Sequence, residues 1–302
     1  MISLSTPAFF ERATSQIGTL RARAEDLQQQ IGSGQRLSRS SDDPVAAARL
    51  RTLARGERLS VINQRNSDQA RNDLRLTDNA LASIATAIVQ AQELAMAAAS
   101  GTQNAEQRAA IGRAVESVQQ ALLIVANGRN GNGFALFGGQ SAGAAYEDTG
   151  AGIVYVGTGT VELADLGEGQ SIAPALTGPE VLEVEAGGVT TDLFAILGTL
   201  AAELQATGDA AGAARDALDG LGTALTKVTT AQTVVGARLS WIELMDERRV
   251  STGELVAEEQ ATIGGADLAT TMTRLQEVMT VLEASQASFV RLANLSLFDM
   301  MR

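Results

Sequence analysis

The side chains best suited to acid–base chemistry are two pairs of adjacent carboxylates, Asp42-Asp43 and Glu258-Glu259. Neighbouring residues on a helix point in different directions, so neither pair can act as a general acid and a general base on one substrate. Pro44 follows Asp43 directly, and a proline suits the first position of a helix that an aspartate caps. Both pairs are therefore predicted to be helix caps or solvated surface charge.

Two residue types that enzymes commonly use are missing, because the sequence contains no histidine and no cysteine. It therefore lacks the commonest general base, the commonest metal ligand, and any thiolate for a metal site or a disulfide. The glycine-rich runs 131–133 and 157–159 have neither the glycine spacing nor the lysine of a phosphate-binding loop, and are typical of tight turns. We expect a protein that is not an enzyme and that binds no metal or other cofactor.

Charge and hydropathy limit the partners of this protein. Its net charge of −12 argues against nucleic acid and against acidic membranes, because affinity for nucleic acid comes mainly from neutralised phosphates. The most apolar window, residues 80–100, is interrupted by Gln90, Gln92 and Glu93, and is predicted to be too polar to span a membrane. The first eleven residues contain no basic region and no apolar run, so no cleaved secretory signal is expected. We expect neither nucleic acid nor a membrane as a partner.

The first carboxylate pair precedes a predicted helix that is much longer than those of an ordinary globular domain. Pro44 begins a helical pattern that persists to about residue 99, which at about 1.5 Å per residue makes a rod of about 80 Å. Asn104 is positioned to cap the next helix. The other helices are expected over about residues 8–31, 104–127, 193–204, 209–250 with a kink or restart at 251–254, and 266–302.

The two ends of the chain carry matching apolar rows at steps of three and four residues. Such a 3.5-residue repeat indicates a helix that packs along another helix. We therefore expect the first and last helices to pair, and part of their apolar surface to be buried only when subunits assemble. The predicted subunit interface comprises Phe10, Ile17, Leu20, Leu27, Ile31, Leu268, Met272, Leu275, Met279, Leu282, Phe289, Leu297 and Phe298.

Between the helical flanks lies a glycine-punctuated region with short β-like runs. Hairpins are expected from residues 134–137, 153–156, 161–163 and 181–184. The predicted fold is mainly α, an elongated antiparallel bundle or coiled coil of long N- and C-terminal helices with a small β-rich insert. Three domains are expected: terminal helices of residues 1–40 and 255–302, a rod-like bundle of 41–139 and 189–254, and an insert of 140–188.

Two segments resemble the N-terminal signature of bacterial flagellins and their relatives. Residues 30–37 read Gln-Ile-Gly-Ser-Gly-Gln-Arg-Leu, and residues 41–48 read Ser-Asp-Asp-Pro-Val-Ala-Ala-Ala. Residues 63–81 and 235–239 are similar to that family's next long helix and its return helix. The resemblance covers about residues 1–140 and 190–302 but not the insert. Within the family, residues 41–44, 131–139 and 283–298 are most similar to the branch that lies between the flagellar hook and filament.

This resemblance implies a structural, non-enzymatic component of the bacterial flagellum that joins the hook to the filament. It implies type III export without a cleaved signal, an extracellular location, and a ring of copies of this chain. The implied partners are the first hook-associated protein, flagellin, and an export chaperone that binds the C-terminal helix.

Three alternatives remain at the level of the sequence. A short flagellin that forms the filament itself is the alternative within the family. Outside it, a coiled-coil signalling or adhesion module would form a parallel dimer instead of pairing its own two ends. An enzyme is the third alternative, and its activity would depend on Asp42 or Asp43.

Overall fold

The computed structural model describes residues 6–186, 188–206 and 208–300, with side-chain surroundings except at residues 6, 7, 9, 186 and 292–300. Within these ranges the chain is mainly helical, as predicted, with short strands confined to its middle. The helices are α1 (Thr6–Ser33), α2 (Pro44–Ala99), α3 (Ala105–Ala126), α4 (Gly178–Leu182), α5 (Leu193–Gln205), α6 (Ala210–Gly264) and α7 (Leu268–Met300). The strands are β1 (Tyr146–Asp148), β2 (Ile153–Tyr155), β3 (Ala164–Gly167), β4 (Gln170–Ile172), β5 (Glu183–Ala186) and β6 (Val189–Asp192).

The long helices begin at the capping residues that the sequence indicates. The backbone N–H of Ala46 donates to Asp43 Oδ1 at 3.0 Å, so this carboxylate caps α2 ahead of Pro44. Asn104 and Gln107 form a reciprocal capping box at the start of α3, with N–O distances of 2.9 and 3.0 Å. The predicted caps of α2 and α3 are confirmed.

The restart predicted as one possibility at residues 251–254 is absent, because α6 runs without a break from Ala210 to Gly264. Gly253 is the weak point of this stretch, since an interior glycine costs about 1 kcal/mol relative to alanine. One such residue does not terminate a helix that is flanked by strong helix formers on both sides.

The β region consists of three separate antiparallel hairpins, in which β1 pairs with β2, β3 with β4, and β5 with β6. The strand predicted from Ile153 is confirmed, whereas the runs 134–137 and 161–163 are not strands. Asn130 explains the first difference, because its side-chain oxygen accepts hydrogen bonds from the backbone of Asn132 and Phe134 and folds the run into a turn. The run 181–184 is also only half strand, since its first two residues end α4.

Contact density divides the chain into two compact units. Unit 2, residues 59–250, contains the main apolar core together with the three hairpins. Its helices each bury one face, with Phe194 of α5 and Phe137 among the largest fully buried side chains. The long-helix core residues are Leu74, Leu81, Ile84, Ile88, Val115, Val118, Leu122, Leu221, Val228, Val235 and Ile242.

Helices α2 and α3 contain 18-residue stretches of mean hydropathy 1.3 and 1.2, which by length and composition alone could cross a membrane. The expectation that Gln90, Gln92 and Glu93 make the α2 stretch too polar is therefore wrong as a matter of composition. In the fold, however, the buried residues of the stretch lie on one face, and Gln90 and Glu93 are exposed. One-sided burial favours core helices of a bundle, because a spanning helix is apolar all round.

Unit 1 comprises residues 1–58 and 251–302. It contains α1, α7, the beginning of α2 and the end of α6. The finer division into three domains, with the boundaries given above, stays a prediction.

Candidate assembly surface on the terminal helices

Helices α1 and α7 pack antiparallel along an apolar seam. The rings of Phe10 and Phe289 meet edge to face with centroids 5.4 Å apart. Further along, Ala24 and Leu27 of α1 pack in one cluster with Val278 of α7. Because low residue numbers of α1 meet high numbers of α7, the predicted pairing of the two chain ends is present in a single chain.

The seam contains eight of the thirteen predicted interface residues. Leu27 and Leu282 are buried, and the other six are partly buried. Those six are Phe10, Ile17, Leu20, Ile31, Leu275 and Phe289. Since they pack within one chain, any contact with another subunit must use what these residues leave exposed.

Three other predicted residues lie outside the seam. Leu268, Met272 and Met279 are 49%, 55% and 38% exposed, so α1 does not cover them. Leu297 and Phe298 belong to α7, but their side chains lie outside the described ones. The exposed three are large apolar groups on one side of α7, which is an unusual surface for a helix without a further partner.

The sequence reasoning missed one member of the seam, Val278, whereas Ala24 lies in the apolar row predicted on the first helix but was not included among the predicted interface residues. The row that faces α1 is Thr271, Leu275, Val278, Leu282, Ser285 and Phe289, at the same steps of four and three. It shares three residues with the predicted row, which continues through Met272 and Met279 instead. Two overlapping rows are therefore present on α7, and periodicity alone could have found both.

A polar clamp holds the loop between α1 and α2 against the junction of α6 and α7. The backbone N–H of Arg36 donates to Gly264 O at 2.8 Å, and its guanidinium donates to Ile263 O at 3.0 Å. The same guanidinium pairs with Asp43 at 3.3 Å. Ala266 N donates to Gly34 O at 2.9 Å, where Gly34 adopts a φ of 67° that favours glycine. The clamp fixes where α7 begins relative to α1.

Both aspartates of the first carboxylate pair are hydrogen-bond acceptors in this clamp. Asp42 accepts from the backbone N–H of Arg39 at 2.8 Å and from Ser38, and these bonds hold its pKa below the usual value. The pKa of Asp43 is lowered chiefly by the Ala46 N–H and then by Arg36. The capping prediction is confirmed, and both carboxylates are kept ionised rather than poised to exchange protons.

The second pair, Glu258-Glu259, is divided between two environments. Glu259 forms a bidentate ion pair with Arg49 of α2, whose Nε and Nη2 donate to the two carboxylate oxygens at 2.6 and 2.8 Å. This pairing lowers the pKa of Glu259. Glu258 is exposed and makes no ion pair with any described residue. One glutamate thus ties α6 to α2 while its neighbour faces solvent.

No cluster of three or more possible metal-ligating residues occurs among the described residues. A cleft of about 820 Å³ lies in unit 2, between α2, the turn after α3 and the β3 region. On its wall Asp73 accepts a hydrogen bond from Asn130 at 3.2 Å, and partial burial raises the pKa of Asp73. Its other polar groups are mostly amides, so the cleft does not present a set of groups matched to a particular ligand.

Residues 5–142 match the family model described as the bacterial flagellin N-terminal helical region. The chain is also 25% identical over 312 residues to flagellar hook-associated protein 3 of Escherichia coli K12, and the match covers 98% of each chain. The signature residues at 30–37 and 41–48 lie within the matched N-terminal region, and they include Gly34, Arg36 and Asp43 of the clamp.

Solved structures show the same fold. A flagellar hook-associated protein from Vibrio parahaemolyticus is 21% identical with a TM-score of 0.66, over 73% of this chain and 98% of that one. The flagellar junction protein of Legionella pneumophila is 14% identical with a TM-score of 0.61, over 72% of this chain and 100% of that one. At these identities the likeness establishes the fold.

Proposed function

We propose that the protein is a structural component of the bacterial flagellum that joins the hook to the filament, and the match of residues 5–142 to the bacterial flagellin N-terminal helical region supports this assignment. The main support for this proposal is the match to hook-associated protein 3, which extends over 98% of both chains and so includes the insert and both terminal helices. The shared fold with a flagellar junction protein supports the same conclusion.

The terminal helices provide the means of assembly in this proposal. The α1–α7 seam folds the ends of one chain together, and the exposed row Leu268, Met272 and Met279 remains available for a neighbouring subunit. Burying a side chain of this size contributes about 1.5–3 kcal/mol. Because the three are already about half buried in the monomer, their further burial contributes about 2–4 kcal/mol in total to the association of copies into a ring.

The proposed partners follow from the position between hook and filament. They are the first hook-associated protein on one side, flagellin on the other, and further copies of this chain in the ring. The protein is exported without a cleaved signal, and inside the cell an export chaperone covers the C-terminal helix. The same exposed row of α7 is thus covered first by the chaperone and then by a neighbouring subunit.

Deletion of the gene in the organism that makes this protein tests the proposal. Electron microscopy is expected to show hooks without filaments, with flagellin shed into the medium, and the unaltered gene supplied in trans restores filaments. Normal filaments on the deletion strain would refute the junction role. Growth of the purified protein alone into long filaments would instead identify a short flagellin.

A further inference from the structure

Unit 1 carries opposite charge on two of its helices. In the part of α2 that belongs to this unit, residues 44–58, four arginines stand against one glutamate. In the corresponding part of α6, residues 251–264, three glutamates occur without any basic residue. This separation is notable in a chain whose overall charge is negative.

Three of the arginines form a row on the side of α2 that faces away from the unit's interior. Arg51, Arg55 and Arg58 follow each other at four and three residues, so they lie on one helix face, and all three are exposed. The buried residues Ala46 and Leu53 lie on the opposite side. None of the three arginines makes an ion pair with a described residue, in contrast to Arg49. We name this row the basic row.

A matching row lies on α6. Glu254 and Glu258 are four residues apart on one face, are exposed, and pair with no described cation. Between them Leu255 is 65% exposed, which places an apolar group beside the two carboxylates. We name Glu254, Leu255 and Glu258 the acidic row. Each row sets like charges one helical turn apart, which slightly disfavours the helix that carries it.

We propose that the basic row of one copy docks on the acidic row of the next copy. The spacing fits, because Arg51 and Arg55 are separated by the same four residues, about 6 Å, as Glu254 and Glu258. Two helices lying side by side can therefore form both ion pairs at once. The two rows are different surfaces, so the contact is head-to-tail, which is the kind that builds a closed ring or a helical array.

A second copy of this chain is the occupant that the charges favour. Each copy presents both signs at equal spacing, so every interior member of the array satisfies both rows. This inference rests on the proposed function, which brings copies together through the apolar row of α7. Exposed ion pairs add little affinity by themselves, and their effect here is to fix the register and to reject wrong alignments.

Charge reversal tests the contact in the deletion strain. One variant carries R51E, R55E and R58E, a second carries E254R and E258R, and a third carries all five changes. Filaments per cell are counted by electron microscopy. Each partial reversal brings like charges together, so we expect a roughly tenfold or greater loss of filaments. The five-change variant restores attraction with the signs exchanged, and so does co-expression of the two partial variants in one cell.

The control is D216R with D219R, which reverses two exposed carboxylates of α6 outside unit 1 and is expected to leave filament number unchanged. Circular dichroism of each purified variant checks folding, and the melting temperatures should be unchanged because no ion pair within the chain is lost. The proposal would be overturned if the partial reversals left the number of filaments per cell unchanged. It would also be overturned if the five-change variant made no more filaments than the partial reversals. The proposed function fails separately, if the deletion strain itself makes filaments.

Discussion

Replacement of Leu282 by aspartate should separate α1 from α7 in the isolated chain. Leu282 is only 8% exposed and lies in the row of α7 that faces α1. The substitution removes an apolar side chain from the seam and places a carboxylate there with no partner. Leu282 belongs to unit 1, so the core of unit 2 should stay intact.

The magnitude follows from the size of the seam. Loss of the buried leucine costs about 2 kcal/mol, and the unsatisfied carboxylate adds about 1–3 kcal/mol. The total corresponds to at least a hundredfold shift of the pairing equilibrium toward the open form. Among the described residues, the buried apolar cluster between α1 and α7 comprises Ala24, Leu27 and Val278, so little remains to offset such a loss.

Hydrogen–deuterium exchange of the purified monomer measures this opening. Peptides from residues 10–31 and 271–291 should exchange much faster in the variant, while peptides from residues 115–126 keep their protection. The matched variant is Met279→Asp, three residues away and 38% exposed. It should change the exchange of the monomer little, because surface substitutions usually shift stability by less than about 0.5 kcal/mol.

Equal exchange of Leu282→Asp and the unaltered protein would refute the packing argument. Loss of protection across residues 115–126 would refute the expectation that the core of unit 2 stays folded when α1 and α7 separate. In cells, both variants should fail to enter the flagellum, Leu282→Asp because the ends separate and Met279→Asp because the proposed subunit contact is lost. Normal incorporation of Met279→Asp would show that its side of α7 is not an interface.

Two further predictions concern the polar contacts. The pKa values of Asp42 and Asp43 are lowered by bonds formed in the fold, so their stabilisation is present above the unfolded value of about 3.9 and is lost as the pH falls through the lower folded value. Exchange in residues 34–43 should therefore accelerate below about pH 4, and Asp43→Asn should weaken this response. Arg249→Met should lower the melting temperature by on the order of 5 °C, because Arg249 donates to Gln64, Ser67 and Leu166 O at 2.8–3.0 Å. Arg248→Met, at an exposed pair, is its control.

Helix positions could be predicted from the sequence because their signals are local. Asp43, Pro44 and Asn104 act on backbone groups within three residues, so their roles follow from type and spacing. Short strands gave weaker signals, so the strand from Ile153 was predicted but its partner β1 was not. The three-residue strands of β1 and β2 are paired by hairpin geometry, and a capping box between Thr177 and Glu180 turned part of one expected strand into α4.

The sequence predicted that α7 has an apolar surface, but it did not show which side of α7 faces α1. The sequence shows that α7 is apolar at 3.5-residue steps, and Leu275, Leu282 and Phe289 satisfy both possible rows. The choice between Val278 and Met279 depends on how closely α1 approaches. At that level α1 presents Ala24, a small residue that admits a short side chain such as valine. The charged rows of unit 1 can likewise be identified only when the burial of neighbouring residues shows which helix faces are exposed.

The width of the apolar surface on α7 is the strongest argument that this helix serves two partners. Between residues 275 and 282 it carries Leu275, Val278, Met279, Val281 and Leu282, which is five apolar side chains in little more than two turns. One packed neighbour requires about three to four in that length. Helix α1 takes up the inner ones, and Met279 and Val281 remain 38% and 51% exposed. A helix that packs only against α1 would be expected to carry polar residues there, so the excess supports the proposed contact with a neighbouring subunit.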